Sequence, residues 1–125
     1  MLADARVEAT VPALDLGRAR RFYEGTLGLR AAGSHVSDRD LIFECGGGTR
    51  LFVYERPITS GAAHTLAHFV VDDVEATVRA LRERGVTFED YDLPELKTVD
   101  GVAAAGDKKF AWFHDVDGNV IGLHS

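Results

Sequence analysis

The sequence predicts an α+β fold in which two βαβββ modules form a cupped mixed sheet with helices on its outer face. Three observations carry the prediction. The order strand, helix, strand, strand, strand is written twice along 125 residues. In each half an aspartate stands before the helical stripe and a glycine after it. Each half also ends in two alternating runs joined by a glycine-bearing turn, the pattern of a hairpin.

In the first half, residues 6–11 (RVEATV) alternate, with Val7, Ala9 and Val11 on one side, as in a half-buried strand. Asp15 offers a capping carboxylate to a helix over 16–27. Leu16, Ala19, Phe22, Tyr23 and Leu27 give that helix one apolar stripe. Gly28 stops it, and strands are predicted at 29–35, 40–45 and 50–55, with Gly46-Gly47-Gly48 turning between the last two.

The second half opens with residues 65–71 (TLAHFVV), alternating around Ala67, Phe69 and Val71. Asp72 and Asp73 can cap a helix over 73–84 with Val74, Thr77, Val78 and Leu81 as its stripe, and Gly85 ends it. Strands follow at 86–91, 109–114 and 119–124, with Asp117-Gly118 as a tight turn between the last two. Module 1 thus spans about 5–56 and module 2 about 64–125, with a Pro- and Gly-bearing linker at 56–63. A module this small buries little apolar surface alone, so the two are expected to share one domain over 1–125. Residues 92–108 break the symmetry as a long loop, a length that usually carries function or motion.

Alternation then sorts side chains onto two faces. With Val11, Leu51 and Val53 beneath the first helix, Glu8, Thr10, Phe52 and Tyr54 point into the cup. With Ala67, Phe69, Ala111, Phe113, Ile121 and Leu123 beneath the second, the cup receives His64, Leu66 and His68 from the first strand. Gly122 and His124 join them from the last strand, and Phe110, Trp112 and His114 from the one before it. A slip of one residue in any strand would exchange its two faces.

With 46% hydrophobic and 27% charged residues the composition is that of an ordinary globular protein. A net charge of -6 and a pI near 5.3 speak against nucleic acid and against an anionic membrane surface. No apolar stretch is long enough to span a bilayer. MLADARVEAT lacks the basic start and apolar run of a signal peptide, so a cytoplasmic location is expected. The single cysteine, Cys45, excludes an internal disulfide and reads as a small buried apolar residue.

Three segments resemble the vicinal-oxygen-chelate group, which embraces glyoxalase I, bleomycin resistance proteins and extradiol dioxygenases. They are ALDLGRARRFYEGTLGL at 13–29, its repeat VDDVEATVRALRERGVTF at 71–88, and WFHDVDGNVIGL at 112–123. Val116 stands where the group's closing hairpin usually has proline. The resemblance implies paired modules forming a cup, a homodimer, and in metal-dependent relatives a divalent ion held by a His or Glu on the first strand and a Glu on the last strand of each module. Carried over to this chain, those positions are Glu8, Leu66, Phe52 or Tyr54, and Gly122. A hard cation needs several converging oxygen or imidazole donors, yet Leu66, Phe52 and Gly122 cannot bind a metal and only Glu8 remains in place. No metal and no other cofactor is therefore expected.

The leading reading is a small-molecule binder similar to the bleomycin-resistance branch, with Phe52, Tyr54 and Trp112 as an aromatic wall. Glu8, His64, His68 and His124 add polar groups to it. Core packing is the competing role for Phe52. The alternative is a metal-dependent lyase, isomerase or dioxygenase whose ligands are relocated to Glu8, His68 and His124. His64 and His68 are four apart, about 13 Å on a strand, and do not chelate one ion together. A third reading is a partner or regulatory module with a vestigial cup. Tyr91, Lys97 and Asp100 lie on or beside the long loop, and His35 and His114 at the surface or an edge.

Overall fold

In the computed structural model, which describes residues 1–125, the alternating runs pair as two four-stranded sheets. In the first sheet β1 (Ala9–Ala13) lies parallel to β4 (Arg50–Glu55), setting Val11 against Val53. Next to β4, antiparallel, comes β3 (Asp40–Glu44), and beyond it the short β2 (Arg30–Ala31). The second sheet repeats the plan. There β5 (Thr65–Val70) runs parallel to β10 (Val120–His124), followed by β9 (Lys108–His114) and β8 (Ala103–Ala105). Strands β1 and β5 lie side by side, so the halves meet along their first strands.

Helix α1 (Leu16–Arg20) packs over β3 and β4, and α2 (Val74–Glu83) over β9. Beneath them one apolar core draws on both halves, with Val11, Phe43, Val53, Ala111, Phe113 and Ile121 fully buried. Each of these except the small Ala111 contributes about 1.5–3 kcal/mol by leaving water. Both helices start where an aspartate accepts a hydrogen bond. Asp15 takes the Arg18 N–H at 2.9 Å, and Asp73 takes the Ala76 N–H at 2.9 Å. No helix is long and apolar enough to cross a membrane.

Several boundaries differ from the sequence reading. The first ladder begins at Ala9 and leaves Val7 90% exposed, so Val7 is not beneath a helix. After Arg20 the first helix widens into a π-helical turn, Arg21–Thr26, closed by Leu27 N–H donating to Phe22 O at 2.9 Å. The strand expected at 29–35 shrinks to two residues because the chain arches over Asp40 instead. The Asp40 carboxylate accepts from Ser37 N at 2.5 Å and from Val36 N at 3.1 Å. Burial pushes its pKa up, but those bonds, with the Ser37 hydroxyl and His35, outweigh burial and hold it below the usual value.

In the second half, residues 86–91 form no ladder and meet β9 through a Phe88–Phe113 bridge and the Glu89 N–H donating to the Trp112 carbonyl at 2.8 Å. The edge place is taken by β8, drawn from the stretch expected to be loop. That stretch also folds a hairpin from β6 (Asp92–Leu93) and β7 (Leu96–Lys97). The turn after β7 is anchored by Asp90, which accepts from the Thr98 hydroxyl and the Gly101 N–H, both at 2.8 Å. These two bonds lower the Asp90 pKa.

A buried polar network ties the halves together. Tyr23, from the π turn, donates its hydroxyl to Asp115 Oδ2 at 2.5 Å. Asn119 Nδ2 donates to the same oxygen at 2.8 Å and to the Pro12 carbonyl of β1 at 2.9 Å. The other Asp115 oxygen accepts the Asp117 and Asn119 N–H groups, and Ser60 of the linker donates to Asn119 Oδ1. Tyr23 is therefore more than a member of an apolar stripe.

Burial first, and then the Asp115 carboxylate, raise the Tyr23 pKa far above its ordinary 10.0. The unfolded chain loses this proton near pH 10 while the folded chain keeps it. The resulting stability is complete below pH 10 and falls as pH rises beyond it. Tyr23→Phe is expected to cost about 1–3 kcal/mol at neutral pH and to flatten the alkaline decline. Urea unfolding from neutral to alkaline pH measures both, and an unchanged alkaline slope would contradict the assignment.

Candidate functional site

The second sheet's helix-free face carries a run of rings because the register aligns them. Trp112 pairs with Gly122 and Gly122 with His68, while Phe110 pairs with His124 one step along. Phe110 and Trp112 stand nearly parallel, 7° apart with centroids 6.1 Å apart, within the range of offset stacking. His124 lies 6.0 Å from Phe110, and His68 meets His124 edge-on at 5.2 Å. Tyr91 meets Trp112 edge-on at 5.6 Å. The β6–β7 hairpin stands beside this shelf, and Leu96 and Lys97 face Phe110 and Trp112 across a cavity of about 270 Å³.

The other site residues read from the sequence fall elsewhere. Phe52 and Tyr54 pair with each other at 6.3 Å on the first sheet, and no ring pair joins them to the shelf. The single aromatic wall is thus two walls. Ile42 lies opposite Phe52 and is buried, yet neither side chain joins the apolar core, and Phe52 stays half-buried. Glu8 and His64 are exposed and lie one residue before β1 and β5. His114 is exposed at the end of β9, 2.8 Å from Glu89. Cys45 is half-buried and free, and burial raises its pKa, which leaves little thiolate for chemistry. Sequence reasoning put Phe110 on the right face without choosing it and placed Tyr91 at the end of a strand beside the long loop. Only the hairpin's fold turns Tyr91 onto Trp112.

The positions assigned to an ion by resemblance do not fit one. No three His, Cys, Asp or Glu side chains are grouped to hold a metal, so Glu8, His68 and His124 do not form such a set. A bulge between Val120 and Ile121 makes Leu66 an extra residue in β5 and turns it to pack against the core. This corrects its assignment to the cup, and Thr65 takes the place. At Gly122 a Cβ would stand 3.2 Å from His68 Nδ1, 3.3 Å from Thr65 Cγ2 and 3.5 Å from Trp112 Cδ1. Even a Cβ there needs the His68 and Thr65 side chains to give by a few tenths of an ångström, so a longer side chain crowds the shelf. Gly122→Glu is therefore expected to lose about 1–3 kcal/mol to overpacking and to gain no ion. Thermal unfolding with and without divalent cations checks this, and tight binding of one ion without loss of stability would refute it.

Two parallel-and-antiparallel sheets built from repeated βαβββ units, with helices on one side and a side-chain-lined face on the other, define the class of glyoxalase-like folds. Residues 6–123 match the Glyoxalase/Bleomycin resistance protein/Dioxygenase superfamily, and the chain belongs to that family. A glyoxalase/bleomycin resistance protein from Streptomyces sp. CB03234 is similar at 29% identity, covering 93% of this chain and 96% of that one, with a TM-score of 0.68. TnmS3, an antibiotic binding protein from Streptomyces sp. CB03234, is 27% identical over 98% of this chain and 97% of its own, with a TM-score of 0.68. The glyoxalase family protein of Enterococcus faecalis shares the fold at 20% identity, a TM-score of 0.69 and full coverage of both chains. No curated protein matches the chain.

Proposed function

We propose that the protein binds a small, partly aromatic molecule on the Trp112 shelf and needs no metal ion to do so. The observation that carries this reading is the unbroken surface of five rings, Tyr91, Trp112, Phe110, His124 and His68, across neighbouring strands. Such a surface offers flat apolar contact, and the indole N–H, the phenol and two imidazoles can orient polar substituents. The similarity to an antibiotic binding protein supports a small-molecule ligand. The crowding at Gly122 supports binding without an ion.

Trp112 is the only tryptophan, so its emission reports the shelf directly. Titration with planar polycyclic aromatic compounds is expected to change that emission saturably, and equally after treatment with a chelator. Two outcomes overturn the reading. One is no saturable response across the panel. The other is a response that disappears with the chelator and returns with a divalent cation.

A further inference from the structure

The largest cavity lies away from the shelf. It is a groove of about 630 Å³ on the helix side of β9, between α2 and the segment from Lys97 to Ala104. That size is ordinary for a small-molecule site. Its charge is not ordinary for this chain. Arg79, Arg82, Lys97 and Lys109 line it against only two acids, Glu75 and Asp100, in a protein of net charge -6. Glu75, Arg79 and Arg82 are four and three apart on α2 and share one side of the helix.

The acids leave much of this charge unspent. Glu75 is engaged by Lys109. Lys97 reaches only Asp92, at 3.8 Å, with both side chains mostly in water, a pair worth little. Arg82 gives one N–H to the Asp100 carbonyl at 3.0 Å and lies over the Phe88 ring. Arg79 makes no hydrogen bond or ion pair with the protein, among all the side-chain bonds of α2. The opposite wall is held in place. Asp90 fixes Thr98 and Gly101, and Val99 bridges to Val102. At Gly101 (φ +79) a Cβ would stand 2.9 Å from Arg82 Nη2 and 3.0 Å from Phe88 Cβ, so a glycine lets Arg82 close against the wall.

We infer that this groove is a second binding site, for a small organic anion with a phosphate or similar polyvalent head and a short apolar body. The planar guanidinium of Arg79 suits such a head, with Lys97 and Lys109 beside it. Val99, Val102 and Ala104 supply contact for the body. The site stands on the other side of β9 from Trp112 and does not depend on the shelf's function.

The test uses the whole chain with hexyl phosphate, hexanol, hexyltrimethylammonium and inorganic phosphate, followed by calorimetry and amide chemical shifts. Hexyl phosphate is expected to bind best, to shift the amides of residues 78–82 and 99–109, and to weaken as salt rises. Arg79→Glu keeps a good helix former and is expected to reduce its affinity at least about tenfold; Arg79→Gln, expected to weaken binding in the same direction, serves if the first variant unfolds. Trp112→Ala is expected to leave hexyl phosphate binding unchanged, which separates this site from the shelf. Equal binding of hexanol, unchanged affinity in a folded Arg79 variant, or shifts confined to the shelf strands would overturn the inference.

Discussion

Asp115→Ala is expected to remove about 3–5 kcal/mol of folding stability, because several buried neutral donors lose their acceptor at about 1–3 kcal/mol for each one left unpaired. Asp115 is buried and accepts from Tyr23, from the Asn119 side chain and from the Asp117 and Asn119 N–H groups. Removing it strands the Tyr23 hydroxyl beneath α1 and releases the hairpin turn that carries Asn119. Asn119 then holds the Pro12 carbonyl of the other half without its own support. For a domain whose total stability is about 5–15 kcal/mol, that loss is large. Chemical unfolding at pH 7 measures it, and Asp115→Asn, which keeps two acceptor lone pairs, should lose less. A loss under about 1 kcal/mol for Asp115→Ala would show that the network is not what couples the halves.

On the proposed binding function, Trp112→Ala is expected to weaken an aromatic ligand by about 2 kcal/mol or more, on the order of thirtyfold. Trp112 is central to the shelf. Phe110 stacks on it, Tyr91 meets its edge, and Gly122 opposite leaves its face uncovered by a longer side chain. Trp112→Phe retains a flat ring and should fall between the two. Calorimetry is the measurement here, because the variant has no indole left to observe. Unchanged affinity in Trp112→Ala, together with loss in Tyr54→Ala, would move the site to the first sheet.

Much of the fold was legible along the chain. Face alternation put Val11, Val53, Ala67, Ile121 and Leu123 in the core and Trp112, Gly122 and His124 on the opposite side, as found. Asp15 and Asp73 were readable as caps because a capping carboxylate bonds within three residues of itself. The candidate site was legible only in part. Trp112, His68 and His124 come together, whereas Phe52 and Tyr54 pair with each other on the first sheet and Glu8 and His64 stand exposed just before β1 and β5.

What the sequence by itself determined is the repeated order of elements and the side of the sheet that most residues of the long strands face, since both follow from periods of two and 3.6 residues. Tertiary structure alone decided the rest. The bulge that withdraws Leu66 and brings in Thr65 depends on how β5 meets β10. The π turn at Arg21–Thr26, the conversion of 92–108 into a hairpin and an edge strand, and the Tyr23–Asp115–Asn119 network involve partners far apart in the chain. Such features arise where burial leaves a polar group no partner but a distant one, and local periodicity carries no record of that distance.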